Sequence, residues 1–318
     1  MKAMAAPSYG PLDCIAEIDA PLPSPGHGEV RVRVVASALN PADFKVLLGT
    51  LKFLHARNKP LIVGYDFSGT VDAVGPSVTG VSVGDDVFGF LPYGPGNRRG
   101  AFAESLIAKS DEIASKPARV SHETAAAAAT TGLTAIQSIR DLGRLPGRGG
   151  QVLVTGVSGG VGSISVGVAK RLGAEVTAVG SGAGLDLARR LGATEVLDRT
   201  VRPLPGDIRE RFDVVFDASA AYRWRTWRGA LKRAGTFVTT LPSLAFAVDK
   251  IHGLFTRTRV DFVNVKSRPA DLRLLASWLE EGLEVPLAST IPVREIAQGL
   301  SRLQKAGGRI AVRVADGF

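Results

Sequence analysis

The stretch Val154 to Gly162, "VTGVSGGVG", sets Gly156, Gly159 and Gly162 at three-residue intervals, with Gly160 beside the second. Behind an apolar run and ahead of a helix-like segment, that spacing suits a loop that grips a pyrophosphate. Gly156 would make the tight turn, Gly159 and Gly160 would let the backbone approach the phosphates, and Gly162 would let helix pack on strand. The amides at the helix start would supply donors to the anion. A dinucleotide is the expected ligand. An acid that would bond the ribose 2′-hydroxyl of NAD is missing after the next strand, which ends Val179-Gly180-Ser181-Gly182. The Ser181 hydroxyl tolerates a 2′-phosphate where a carboxylate would repel it, so NADP is expected over NAD.

Other chemistries lack their residues. Cys14 is the single cysteine, and the histidines His27, His55, His122 and His252 are scattered. No disulfide within the chain and no thiolate zinc site can form, and no metal is expected. The net charge of +9 raises the question of nucleic acid, above all at Arg223-Trp224-Arg225-Thr226-Trp227-Arg228. At helical spacing, however, Trp224, Trp227 and Leu231 make a stripe for burial and leave the arginines to solvent. Nucleic acid is therefore not the expected partner, and an anionic phosphorylated ligand fits the charge equally well.

These residues need a frame. The 318 residues, 45% hydrophobic and 22% charged, suit a globular protein of two domains. No run of eighteen apolar residues suggests a membrane span, and Pro7 interrupts any signal-like start, so a cytoplasmic protein is expected. From Glu29 to about Val120, short Val-rich pieces cut by Gly, Pro and Asp predict a mostly antiparallel, barrel-like β region. From Ser121, a capping pattern and an Ala-rich body predict a helix. From Gln151 the pattern alternates: strand "QVLVT", helix Val161 to Leu172, strand "AEVTAV", helix Leu185 to Leu191, then "EVL", "FDVVFDAS", "GTFVTTL" and "VDFVNV". Such alternation predicts a doubly wound parallel sheet, making the chain an α/β protein. Two helical segments and a closing strand, "RIAVRV", follow Lys266.

The glycine string also satisfies T-G-x-x-x-G-x-G, the fingerprint of short-chain dehydrogenases, which pair it with Tyr-x-x-x-Lys. Four residues after Tyr9, Tyr65, Tyr93 and Tyr222 stand Asp13, Gly69, Asn97 and Thr226, so that pairing is missing. "GEVRVRVVASALNPADFK", "GYDFSGTVDAVGPSVTGVSVGDDVFGF", "TTGLTA", "VLVTGVSGGVGSISVGVAKRLGAEV", "LGATEVLDR" and "GGRIAVRV", in this order, instead resemble the medium-chain dehydrogenase/reductase superfamily. Within it, the chain is most similar to the zinc-independent, zeta-crystallin-like quinone oxidoreductases.

The resemblance implies a GroES-like substrate domain from residues 1–120 and 266–318, and a Rossmann NADP-binding domain from 121–265, with coenzyme and substrate meeting between them. It implies hydride transfer from NADPH to a quinone or an α,β-unsaturated carbonyl. The alternatives are an enoyl-thioester reductase of the same fold and a non-catalytic, crystallin-like binder of dinucleotide or RNA. Zinc-dependent relatives carry ligands where this chain has Asn40 and Tyr65, and near Thr130. By the same resemblance Asn40 orients substrate or the nicotinamide ribose, with Lys45 and Tyr65 as the other catalytic candidates. The expected coenzyme contacts are Thr131, Thr134, Gly156, Ser158, Gly159, Gly160, Val161, Gly162, Ser181, Arg199 and Leu241. Arg199 follows the third strand, where it could pair with the 2′-phosphate. Substrate choice is expected to lie in the loops Leu47 to Pro60 and Leu241 to Phe255. A homodimer joined near Val260 to Val265 is implied as well.

Overall fold

The computed structural model describes residues 1–54, 59–95, 97, 99–201, 203–242, 245–303 and 307–318. His55 and parts of both expected substrate loops lie outside the described residues.

Strands β1 (Lys2–Ala5) and β2 (Ala16–Asp19) pair antiparallel. The alternating valines of "EVRVRVVASA" then form β3 (Glu29–Ala38), burying Val30, Val32 and Val34. Pro41 opens the helix α1 (Pro41–Leu47), its fixed φ suited to the first helical position. Strands β4 (Asp66–Val74), β5 (Asp86–Phe90), β6 (Ser105–Lys109) and β7 (Ile113–Ser115) complete the β-rich stretch. The Ala-rich helix α2 (His122–Ile136) follows, its start capped by Ser121, whose Oγ accepts the Thr124 N–H at 3.1 Å.

Next come β8 (Gln151–Thr155), α3 (Gly160–Arg171), β9 (Glu175–Gly180), α4 (Ala183–Arg190) and β10 (Glu195–Asp198). They are followed by β11 (Phe212–Asp217), α5 (Trp224–Trp227), β12 (Leu231–Thr239), α6 (Phe246–Phe255) and β13 (Arg259–Phe262). The chain closes with α7 (Pro269–Glu280), β14 (Leu287–Pro292), α8 (Ile296–Arg302) and β15 (Arg309–Arg313).

Two compact units result: Met1–Thr130 with Lys266–Phe318, and Thr131–Val265. In the first, the sheet order β14-β15-β3-β4-β5-β7, with β6 also on β3, is antiparallel except where β14 meets β15. In the second, the strands run parallel in the order β10-β9-β8-β11-β12-β13. Chain direction across that sheet reverses between β8 and β11, where open α/β sheets bind ligands beyond the strand ends. Apolar clusters cover both faces. Val152, Val154, Val166, Val176, Val214 and Phe216 lie in one, and Leu153, Val215, Trp224, Trp227, Leu231 and Phe237 in the other.

Trp224 and Trp227 are thus core residues, as their spacing predicts, and neither offers an open ring face to a base. The sequence reading did not anticipate α1, α6 or β14. The α6 segment had been read as loop, yet it forms a ten-residue helix. Among the described residues, no helix is long and apolar enough to cross a membrane.

Candidate functional site

In the parallel-sheet unit, the loop after β8 adopts the conformation that its glycines allow. Gly156 has φ +69°, and a Cβ there would stand 2.8 Å from the Cβ of Ser219. A Cβ on Gly162 would meet the Gly156 carbonyl oxygen at 2.2 Å, so helix and turn touch backbone to backbone. Gly159 differs. It has extended φ and ψ at the cap of α3, and a Cβ on it would find only the Gly156 oxygen at 3.4 Å. Space is therefore open above Gly159, one of the two glycines expected against the phosphates. Ser158 is exposed at the loop tip, Gly160 opens α3, and Val161 packs onto the sheet.

A buried carboxylate that sequence reasoning missed braces this loop. Asp217, at the end of β11, accepts the Thr155 hydroxyl at 2.6 Å and the Ser219 hydroxyl at 2.7 Å on Oδ1, and the Tyr222 N–H at 2.8 Å on Oδ2. Thr155 immediately precedes the loop and Ser219 lies against Gly156. Asp217 thus ties the ends of β8 and β11 together at the reversal point. The acid closing "FDVVFDAS" was the available signal, but a strand-end Asp does not declare its partners.

The end of β9 carries Ser181, half-buried, and the exposed Arg199 lies beside it because its N–H donates to the Gly180 carbonyl at 3.0 Å. Asp198 is turned to Thr200, accepting its N–H at 2.8 Å and its hydroxyl at 2.6 Å. Those bonds hold the Asp198 carboxyl below its usual range, so a negative charge stays next to Arg199. Thr131 and Thr134 are buried on α2. Leu241, almost half exposed, lines a cavity of about 240 Å³ with Tyr222, Phe246 and Asp249.

The other unit gathers the first catalytic candidate into a buried polar network. Asp43, at the third position of α1, turns back to accept the backbone N–H of Asn40 at 2.6 Å, and the Asn40 side chain bonds further into the network. Its Oδ1 accepts from Arg309 Nη1 at 2.9 Å, and its Nδ2 donates to Asp66 Oδ2 at 2.9 Å. Asp66 also accepts from Arg309 Nη2 at 2.5 Å, and from the Thr130 N–H at 2.8 Å and hydroxyl at 2.5 Å. Arg309 completes its set with the carbonyls of Leu39 at 2.7 Å and Ala127 at 3.1 Å. All of these side chains are buried. Neither Asp66 nor Arg309 was singled out from the sequence, because they come together only across 243 positions of chain.

Lys45 lies half-buried on α1, and its ammonium takes no partner among the described residues. Tyr65 is fully buried, donates its hydroxyl to the Leu54 carbonyl at 3.2 Å, and stacks at a tilt against Tyr93 at 4.4 Å. Burial raises both phenols far above the ordinary tyrosine range, which makes Tyr65 a weak proton donor. Burial also pushes Asp43 up to about 8, against the pull of the Asn40 amide, and its Oδ1 has no partner among the described residues.

One more constellation invites a catalytic reading. Ser68 Oγ is 2.8 Å from His122 Nδ1, and His122 Nε2 is 3.5 Å from Asp86. The Ser68 hydroxyl already donates to the Val87 carbonyl at 2.9 Å and is wholly buried, so it accepts from His122 and is no nucleophile.

Zinc does not fit the positions where related dehydrogenases hold it. Asn40, Tyr65 and Thr130 present an amide and two hydroxyls, with no thiolate or imidazole, and a guanidinium is bonded into the same network.

Two family models match the chain: "Alcohol dehydrogenase GroES-like domain" over residues 26–118 and "Zinc-binding dehydrogenase" over residues 160–240. The chain is 32% identical to a chloroplastic quinone-oxidoreductase homolog from Spinacia oleracea over 250 residues, 76% of this chain and 75% of that one. It is 35% identical to 2-methylene-furan-3-one reductase from Solanum lycopersicum over 227 residues, 69% of this chain but 57% of that one. Among solved structures, a mycobacterial protein determined in complex with NADPH superimposes with a TM-score of 0.79 at 26% identity, covering 99% of this chain and 100% of that one.

Proposed function

The chain belongs to the medium-chain dehydrogenase/reductase superfamily, on its quinone oxidoreductase branch, and from that premise we propose that it transfers hydride from NADPH to a quinone or an α,β-unsaturated carbonyl compound. The observation that carries the reading is the loop after β8. Its backbone closes on itself at Gly156 and Gly162 and stays open at Gly159, at the reversal point of a parallel sheet.

In this reaction the nicotinamide supplies a hydride, two electrons with one proton, to an electron-poor carbon or oxygen of the acceptor. The acceptor becomes an anion, a hydroquinone monoanion or an enolate, and takes its second proton from water or from the protein. NADP⁺ leaves. The protein's part is to hold the two reactants in register and to stabilise the developing oxyanion. Asn40 and Lys45 are the groups we assign to that oxyanion, as an amide donor and a cation. Tyr65, buried and already donating to Leu54, is assigned to packing beneath them.

NADPH is preferred over NADH in this reading because Ser181 and Arg199 lie side by side after the second and third strands. Asp198 opposes that preference, since it stays charged beside Arg199. We assign residues 1–120 with 266–318 to the substrate domain and 121–265 to the coenzyme domain, and Thr131, Thr134, Ser158, Val161 and Leu241 to coenzyme contacts. A homodimer is part of the proposal: β13 is an edge strand, and Val248, Ile251, Leu254 and Phe255 of α6 and Phe262 of β13 are exposed apolar side chains nearby. So is a cytoplasmic location.

The test is a titration with NADPH and NADH, followed by oxidation assays against a quinone, an enone and an enoyl thioester. Turnover of the first two with NADPH supports the reading. Turnover confined to the thioester would shift it to that class, and tight NADPH binding without turnover would leave a binding protein.

A further inference from the structure

Buried arginines are rare unless something pairs them, and Arg309 is paired with unusual completeness. It stands first on β15, 4% exposed, and four of its N–H donations are made to buried acceptors: Leu39 O, Ala127 O, Asn40 Oδ1 and Asp66 Oδ2. By the resemblance Asn40 stands where zinc-dependent relatives carry a ligand and Thr130 lies near another such position, and both bond to Asp66, with which Arg309 is ion-paired. A side-chain cation is therefore bonded into the region where those relatives hold a metal.

The consequence falls on Asn40. An asparagine amide can sit either way round, but here only one sense works. Flipped, its NH₂ would face the guanidinium and its oxygen would face the Asp66 carboxylate. Arg309 and Asp66 together fix the carbonyl towards the cation and the NH₂ towards the anion. The second N–H of the amide reaches only the Ala38 carbonyl, at a long 3.4 Å.

We propose that Arg309 is a positioning residue for hydride transfer: its guanidinium takes the place of a metal cation, and with Asp66 it locks the Asn40 amide in the one orientation that presents an N–H to the reacting carbonyl. The inference rests on the proposed reductase reaction and on the place of Asn40 in it. Lysine at 309 would keep the charge but lose the planar fork that bonds Asn40 and Asp66 together. The network also makes metal binding redundant, so turnover is insensitive to chelators.

The test is a double-mutant cycle with NADPH and a quinone, using Arg309→Lys, Asn40→Ser and the pair, with kcat, KM and the Kd for NADPH measured for each. Arg309→Lys lowers kcat at least tenfold and leaves the Kd for NADPH within twofold, because the coenzyme loop lies in the other unit. In the Asn40→Ser background the same change costs nothing further. An unchanged kcat in Arg309→Lys overturns the proposal, and so do losses that simply multiply, since Arg309 would then act independently of Asn40. A wild-type protein that oxidises no NADPH with any acceptor overturns the reductase reading itself, and is distinguished from the other failures by the absence of any rate to divide. If Arg309→Lys does not fold, Asp66→Asn with Arg309→Gln removes both charges together and carries the same comparison. Its kcat must fall while NADPH binding holds.

Discussion

A Cβ on Gly162 would stand 2.2 Å from the carbonyl oxygen of Gly156, whereas one on Gly159 would meet that same oxygen at 3.4 Å. The two glycines belong to one loop but differ in their surroundings: Gly162 is packed backbone to backbone, whereas Gly159 has room above it. Gly162→Ala forces backbone apart and is expected to cost about 3 kcal/mol of stability or more, with coenzyme binding lost. Gly159→Ala is tolerated by the fold, changing stability by no more than about 1 kcal/mol, but raises the Kd for NADPH at least tenfold. Thermal unfolding and fluorescence titration of both variants separate the two effects. Equal NADPH affinity in Gly159→Ala and the parent would remove the pyrophosphate from this loop.

Asp217 holds that loop from behind. In Asp217→Asn the amide oxygen can keep the Thr155 and Ser219 hydroxyls only by turning its NH₂ towards the Tyr222 N–H, and a buried donor left without an acceptor costs about 1–3 kcal/mol. The variant is expected to melt earlier and to bind NADPH several-fold more weakly, while kcat at saturating coenzyme changes little. A kcat loss with unchanged coenzyme affinity would contradict a bracing role.

Asp43 makes stability depend on pH in a stated direction. Its folded-state pKa is raised from 3.8 to about 8, so between those values the folded chain binds more protons than the unfolded one. Stability from this group is complete below about pH 4 and is lost as pH rises through about 8, by at most about 1.4 kcal/mol per unit. Asp43→Asn keeps an acceptor for the Asn40 N–H and carries no charge at any pH. Urea unfolding at a series of pH values should show the variant gaining on the parent from acid to neutral pH. Parallel curves would mean that the Asp43 carboxyl titrates alike in the folded and the unfolded chain.

Tyr65→Phe separates packing from proton donation. The hydroxyl donates to the Leu54 carbonyl, and its loss should cost about 1 kcal/mol of stability. Rates on a quinone and on an enone should stay within about twofold of the parent, because a phenol with so high a pKa gives up its proton poorly. A large fall in kcat on the enone alone would make Tyr65 the acid.

Much of the architecture was legible in the residues because its signals are local. Val alternation marks β3, the apolar run before glycines marks β8, and the Ser121 cap marks α2. The coenzyme loop is equally local, one turn of nine residues. The segments that were missed had their local texture overridden. "PADFKVL" is a short helix whose start, Asn40-Pro41, also fits a turn, and "FAVDKIHGLF" is apolar on several faces, so its period is weak. Of the network around Asn40, the sequence pointed to Asn40 and to the neighbourhood of Thr130, but not to what joins them. Arg309 opens the closing strand, and its partner is a carboxylate 243 residues away. Long-range pairing of buried charges leaves no trace in spacing.

The central claim, hydride transfer from NADPH to a conjugated carbonyl without a metal, is tested most directly by following NADPH oxidation with a quinone in the presence of a strong chelator. The account predicts saturable turnover with one NADPH consumed per quinone reduced, a rate untouched by the chelator, and no turnover in Gly162→Ala. A rate abolished by the chelator and restored by zinc, or no NADPH oxidation with any quinone or enone, would contradict it.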